Sequence, residues 1–250
     1  MFLDRYLIPV SQSSTIGCMN NIPIRVIFIA SILTAGGASC QVEKIEEPPE
    51  EVKSLELETV PKSIYEENFE AGMEGWELTD PQAWLLSAEE DGHVLALVKD
   101  SNYTPPVRSP ANIALAKAKS PADYTLEVTM RSTTEEYNHR DLCLIFGWQS
   151  PSEFYYVHIA TRSDPHANSI FLVNNKPRIS IAEKRTEGTS WGEGAHQVRV
   201  VRKGQSGLIQ IFFDNLEEPI MEAHDTTFGG GRFGVGSFDD EGTFDDIRLW

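Results

Sequence analysis

From Ile64 to Trp250 the apolar residues recur mostly at every second position, not with the 3.6-residue period of a helix. Turn-forming residues interrupt them about every 8 to 12 positions, the spacing of an all-β sandwich or barrel. The clearest strands read from this alternation are Tyr124–Arg131, Leu142–Trp148, Phe154–Thr161, Ser169–Val173, Arg178–Glu183, Gln197–Arg202, Leu208–Asp214 and Arg232–Phe238. Weaker ones are Ile64–Phe69, His93–Val98, Ile113–Ala116, Ile220–Ala223 and Phe244–Leu249. About thirteen strands in one domain predict two large antiparallel sheets packed face to face. The one helix-like run, Ala111–Lys119, is short and lies between Pro110 and Pro121. No βαβ alternation and no G-x-G-x-x-G run occurs, which argues against a dinucleotide fold.

Charge then narrows the partners. The chain has 250 residues, with 21 Lys+Arg against 38 Asp+Glu and a net charge of −17. A phosphate backbone rewards clustered cations, so nucleic acid is excluded as a partner. Of the three cysteines, Cys18, Cys40 and Cys143, only Cys143 falls in the strand-rich region, so the domain is expected to hold by packing without an internal disulfide.

The first 63 residues read as address and spacer. Ile24–Cys40 carries one Arg, an apolar run from Val26 to Leu33 and then small residues, the three-part layout of a secretory signal. The run is shorter than the roughly 20 residues a bilayer-spanning helix needs. Met19 precedes a conventional short n-region, so translation is expected to begin there: residues 1–18 are a misassigned start, 19–39 the signal peptide. Gly37-Ala38-Ser39-Cys40 resembles a bacterial lipobox, which implies lipidation of Cys40, a membrane anchor and an extracytoplasmic location; Gly37 stands where such signals usually carry Leu. Residues 40–63 are acidic and Pro-containing, without aromatics, and cannot bury enough apolar area to fold.

The order of motifs in residues 64–250 resembles a concanavalin A-like lectin/glucanase domain, a jelly roll of the laminin G-like kind. The carriers are Asn68-Phe69-Glu70 with Gly75-Trp76, Leu144-Ile-Phe-Gly-Trp-Gln149, Phe154-Tyr-Tyr-Val-His158, Gly234-Val-Gly-Ser-Phe-Asp239 and Phe244-Asp-Asp-Ile-Arg248. The resemblance implies a concave sheet whose outer face holds a polysaccharide, and a monomeric binding domain. The same fold also hosts lyases, glycosidases and adhesive modules.

Strand parity selects the residues of that face. Tyr155, Val157 and Ile159 form one set and Tyr156, His158, Ala160 and Arg162 the other; Leu142, Leu144 and Phe146 point inward, leaving Asp141 and Cys143 outside with Arg140 and His139 at the entrance. Ile179 and Ile181 are expected inward, Arg178 and Ser180 outward. Tyr156 and His158 are therefore the candidate proton-transfer residues, and Arg140, Asp141, Arg162, Arg178, Asp164 and His166 the candidate ligand-binding residues. Arg forks suit carboxylate or sulfate, and His or Tyr can move a proton, so an anionic glycan and lyase chemistry both fit. Read as a surface residue, Arg178 is expected to be removable at a cost of no more than about 0.5 kcal/mol. No E-x-D-x-x-E strand of the related retaining glycosidases is present. Trp84, Trp148 and Trp191 suit the core better than a sugar platform, and His93, His196 and His224 are scattered. In related jelly rolls a structural calcium often joins the first and last strands, which here implies Glu67 or Glu70 with Asp245.

Overall fold

The computed structural model describes residues 62–250; the signal segment, Cys40 and nearly all of the spacer lie outside the described residues. No helix occurs among the described residues. In chain order the strands are β1 (Tyr65–Glu67), β2 (Trp76–Leu78), β3 (Trp84–Glu89), β4 (Gly92–Leu97), β5 (Asn112–Ser120), β6 (Tyr124–Ser132), β7 (Asp141–Ser150), β8 (Glu153–Ala160), β9 (Ser169–Asn174), β10 (Ile179–Ser180), β11 (Lys184–Arg185), β12 (His196–Lys203), β13 (Leu208–Phe213), β14 (Met221–His224), β15 (Gly231–Ser237) and β16 (Gly242–Leu249). Ala111–Lys119 is extended, inside β5: alternate side chains of a β5 flanked by β15 and β2 have apolar layers to enter on both sides, and the proline before it sets an extended entry.

All pairings are antiparallel. One sheet runs β11-β14-β13-β12-β6-β16-β4-β3 with β1 added on β16, and the other runs β10-β9-β8-β7-β15-β5-β2. First and last strands meet directly, Tyr65 opposite Leu249 and Glu67 opposite Ile247. The interlayer core takes the inward set as parity predicts: Leu142, Leu144 and Phe146 from β7, and Tyr155, Val157 and Ile159 from β8. Trp84 and Trp191 are buried in the same core.

Two expectations are corrected. Arg178–Glu183 is not one strand. Ile179–Ser180 pairs with β9 in the seven-stranded sheet, and the chain then crosses to the other sheet, where Lys184–Arg185 pairs with β14. Ile179, expected in the core, is 57 % exposed, because β10 is a two-residue edge strand with a neighbour on one side only.

The second correction concerns the outer face of the seven-stranded sheet, expected to be open. Ile113, Leu115, Cys143, Ile145, Trp148, Phe154, Tyr156, Phe171 and Val173 form a second apolar cluster there, with Val107 and Phe238 packed against it. Residues 99–111 run across it, with Val107 packed on the cluster. They lead into β5 near one edge of the sheet, yet the carbonyl of Arg108 accepts from the backbone N–H of Arg178 beside β10 at the other edge. Local bonds hold this strap: Ser101 N–H to Asn112 Oδ1 at 2.7 Å, Asn102 N–H to Asp80 Oδ2 at 2.9 Å, and Thr79 Oγ1 to the Ala111 carbonyl at 2.9 Å. Pro105, Pro106 and Pro110 restrict its backbone.

Candidate functional site

A cavity of about 230 Å³ opens beyond the end of the strap, lined by Arg108, His139, Asp141, His158, Asp164, His166, Arg178, Phe238 and Asp239. It lies where β7 begins and β8 ends, so the loops before β7, after β8 and after β15 all reach it. Antiparallel pairing sets Cys143 opposite His158 and Asp141 opposite Ala160, which makes Asp141 and His158 diagonal neighbours on one face.

Asp141 and His158 are both buried, with His158 Nε2 at 3.1 Å from Asp141 Oδ2. The same oxygen receives the Cys143 thiol at 3.4 Å and the Phe238 backbone N–H at 3.5 Å. Burial, then the charge and hydrogen bond of Asp141, push the Cys143 thiol well up, so it stays protonated. Asp141 Oδ1 and His158 Nδ1 are buried without a hydrogen-bond partner. Arg178 lies between two rings, its guanidinium carbon 4.1 Å from the Phe238 centroid and 4.8 Å from that of Phe171, and its Nη1 donates to Tyr156 Oη at 2.7 Å. Its Nε is buried and unpartnered.

On the open side, Asp164 Oδ2 lies 3.6 Å from His139 Nε2, and its Oδ1 accepts the His166 N–H at 2.6 Å. Burial acts to raise the pKa of Asp164, but that amide, the Ala167 amide and the nearby His139 and His166 rings outweigh it and hold the carboxyl below its usual range. Asp239 moves the other way: burial, then the charges of Asp141 and Asp100, raise it. Asp240 is raised to about 6, by burial first and then by Asp141 and Asp239, against the hydrogen bonds from the Asp141 amide and Tyr137.

Of the residues singled out from sequence, Asp141, His158, Asp164, His166 and Arg178 therefore meet at one cavity. Three others do not. Tyr156, expected to face solvent, is fully buried under Arg178, stacked on Phe171 at 5.1 Å, and does not line the cavity. Burial pushes its hydroxyl well up in pKa and leaves it no open approach to a sugar. Arg140 is spent within its own loop, donating to Ser132 Oγ, the Ser132 carbonyl and Glu136 Oε2. Arg162 is exposed and outside the cavity lining. Parity placed Tyr156 on the correct side of β8 but could not reveal the strap, and Arg140 and Arg162 lie in the loops before β7 and after β8, where parity does not apply. Arg108, Phe238 and Asp239 were missed as ligand-binding residues; Arg108 and Asp239 lie in loops, where no periodicity marks them, and Phe238, read as the last residue of a strand, falls one residue past its end.

The expected calcium ligands lie elsewhere. Glu67 already accepts from Phe69 N–H, Trp76 Nε1 and Tyr65 Oη, and Glu70 from the His93 N–H. Asp245 is raised to about 6 by burial and then by Asp246, Glu70 and Glu89. Among the described residues, the groups close enough to share a metal ion are Asp141–Cys143–His158 and Asp141–Asp239–Asp240. His93, His196 and His224 each pair with a nearby carboxylate on the surface, far from one another in the sheets.

The two-sheet antiparallel sandwich has counterparts among solved structures. The carbohydrate binding module CBM66 from Bacillus subtilis is 19% identical over 71% of this chain and 96% of its own, with a TM-score of 0.50. Domain 4 of AbnA, a GH43 extracellular arabinanase from Geobacillus stearothermophilus, solved in complex with arabinotriose, aligns over 75% of this chain and 91% of its own at 8% identity and a TM-score of 0.51. The fold is the concanavalin A-like jelly roll. A protein of unknown function with a galectin-like fold from Bacillus subtilis aligns over 76% of this jelly roll's chain and 96% of its own, at 12% identity and a TM-score of 0.50. No protein-family model matches the chain, and no curated protein sequence does.

Proposed function

We propose that the jelly roll is a carbohydrate-binding module that takes one sugar ring, the end of a polysaccharide chain, into the cavity at the rim of the seven-stranded sheet. The observation that carries this reading is the strap. Val107 of the strap packs on the apolar outer face and Arg108 ties it to the far sheet edge, and the cavity of about 230 Å³ falls below the roughly 300–1,000 Å³ of pockets for drug-sized ligands, a size that suits one ring better than a length of chain. Its walls offer what a polyol requires: carboxylates of Asp164 and Asp239 to accept from hydroxyls, guanidinium and imidazole groups to donate, and the Phe238 ring as an apolar side. Three carboxylates against two arginines favour a neutral, hydroxyl-rich ring over an anionic one. Binding of glycan by two jelly rolls of the same fold supports the reading by analogy alone.

The N-terminal layout supports export, with Cys40 lipidated and residues 41–63 spacing the module from a membrane. Metabolic labelling with palmitate should mark the wild-type chain and not Cys40→Ser; equal labelling would end this part of the proposal.

The binding reading is tested with the full chain on an array of neutral and acidic glycans, followed by calorimetric titration with oligosaccharides of increasing length. End recognition predicts an affinity per chain end that does not grow with length, and a loss of at least tenfold in His166→Ala and Asp164→Asn. Affinity that climbs with chain length, or is indifferent to both substitutions, would place the glycan elsewhere; no binding at all would remove the function.

A further inference from the structure

We propose that Asp141, Asp239 and Asp240 hold a divalent cation of the calcium type beneath the cavity. An oxygen from each of the three carboxylates lies within 4.8 Å of the others, although the residues come from distant parts of the chain. Asp141 opens β7, and Asp239–Asp240 form the turn between β15 and β16. Asp141 is 1 % exposed and Asp240 is 4 % exposed, so this is no solvated acidic surface.

The state of Asp141 points to a missing ligand. Its Oδ2 is used by His158, Cys143 and Phe238, but its Oδ1 has no donor at all while shut away from water. A buried carboxylate oxygen without a partner costs free energy comparable to a lost hydrogen bond or more. Beside it stand two further carboxylates, and among the described residues no Lys or Arg bridges any of the three. A cation there would satisfy the orphaned oxygen and offset the like charge of three closely placed carboxylates.

The chemistry of the set selects a hard ion. All three ligands are carboxylate oxygens, and calcium takes 6 to 8 oxygens in flexible geometry, waters among them. Asp239 is exposed and leaves room for those waters. The turn is already directed inward, since Asp240 Oδ2 accepts the Asp141 amide at 2.6 Å and Asp240 N–H donates to Ser237 Oγ at 2.8 Å. The ion would thus tie the 238–241 turn, and with it the Phe238 wall of the cavity, to the first residue of β7.

The test is calorimetric titration of the EDTA-stripped full chain with calcium chloride, in the absence of sugar. A saturable site is expected, weakened at least tenfold in Asp239→Asn and in Asp240→Asn, and unchanged in Asp245→Asn. No binding, or binding indifferent to Asp239→Asn, overturns the proposal; so does binding lost only in Asp245→Asn, which would move the ion to the junction of first and last strands. Circular dichroism of each variant in EDTA checks folding, and should Asp240→Asn fail to fold, the exposed Asp239 decides. The titration needs no glycan, so a blank glycan array leaves its outcome intact.

Discussion

The backbone N–H of Arg178 donates to the carbonyl of Arg108 at 3.2 Å, and that bond fastens the strap to the sheet edge opposite the strand it leads into. Beneath it Phe154, Tyr156, Phe171 and Val173 are all but inaccessible. Val107 is the strap's own apolar contact with that cluster. Val107→Asp sets a charge against the aromatic face and should lower the unfolding free energy by about 2 kcal/mol. Urea denaturation reads the loss, and increased binding of a hydrophobic dye reads the uncovered face. Wild-type values in both would mean that the face needs no cover.

Arg178 is no ordinary surface residue. Between Phe171 and Phe238, with Nη1 on Tyr156 Oη, it supplies both a cation–π contact and the donor to a buried hydroxyl. The small cost expected from sequence, about 0.5 kcal/mol for Arg178→Ala, is therefore replaced by about 2 to 3 kcal/mol. Arg178→Lys should recover part of it, since the ammonium keeps a charge over the rings but not the planar stacking. A thermal melt of Arg178→Ala that matches wild type would show the sandwich to be inert.

What could be read in the sequence follows from where periodicity speaks. Alternation in Leu142–Phe146 and Phe154–Thr161 sorted inward from outward residues correctly, because both strands lie in the middle of a sheet, whereas an irregularity at Gly147 turns Trp148 to the outer cluster. A further signal stood in the same residues and was not used: Cys143, Ile145, Phe154 and Tyr156 on the outward side are themselves apolar or aromatic, the mark of a strand buried on both faces. The strap itself, rich in Pro and small polar residues, carries no period, so nothing in it declares that it folds back. Short strands were lost for a like reason: β2 and β11 have three and two residues, too few to establish alternation. The six-residue β3 also went unmarked; Leu85 and Leu86 are adjacent apolar residues, which breaks a period of two. The neighbourhood of Asp141 and His158 followed from register, whereas Asp239 and Arg108 reach the cavity from loops.

Asp225 predicts a pH dependence. Burial raises its pKa, but hydrogen bonds from Tyr155 Oη and the Thr227 amide, and then the charge of Arg202, outweigh burial and hold it below the usual carboxylate value. A carboxyl whose folded pKa is depressed contributes stability above its unfolded value, about 3.9, and loses it as pH falls through the folded value. Urea midpoints measured from pH 6 down to 2 should fall on the acid side, and Asp225→Asn should be less stable than wild type at pH 6 with the difference closing at the acid end. A constant gap across that range would remove Asp225 from the acid response.

His158 and Asp141 form a buried hydrogen-bonded pair at the floor of the cavity, and each is the other's principal partner. Removing one member strands the other. His158→Leu leaves the Asp141 carboxylate without its strongest donor, and Asp141→Leu leaves an imidazole nitrogen unsatisfied, so each should cost about 3 kcal/mol. Replacing both by Leu removes the desolvation penalty together with the bond, and Phe171 and Phe238 already provide apolar walls around the ring. The double variant should therefore lose less than the sum of the two, with a coupling of at least about 1 kcal/mol, in urea titrations run in EDTA to exclude any bound ion. Strict additivity would show that the two side chains do not act as a unit, and that the polar floor of the cavity is held by the Asp240 and Phe238 backbone contacts instead.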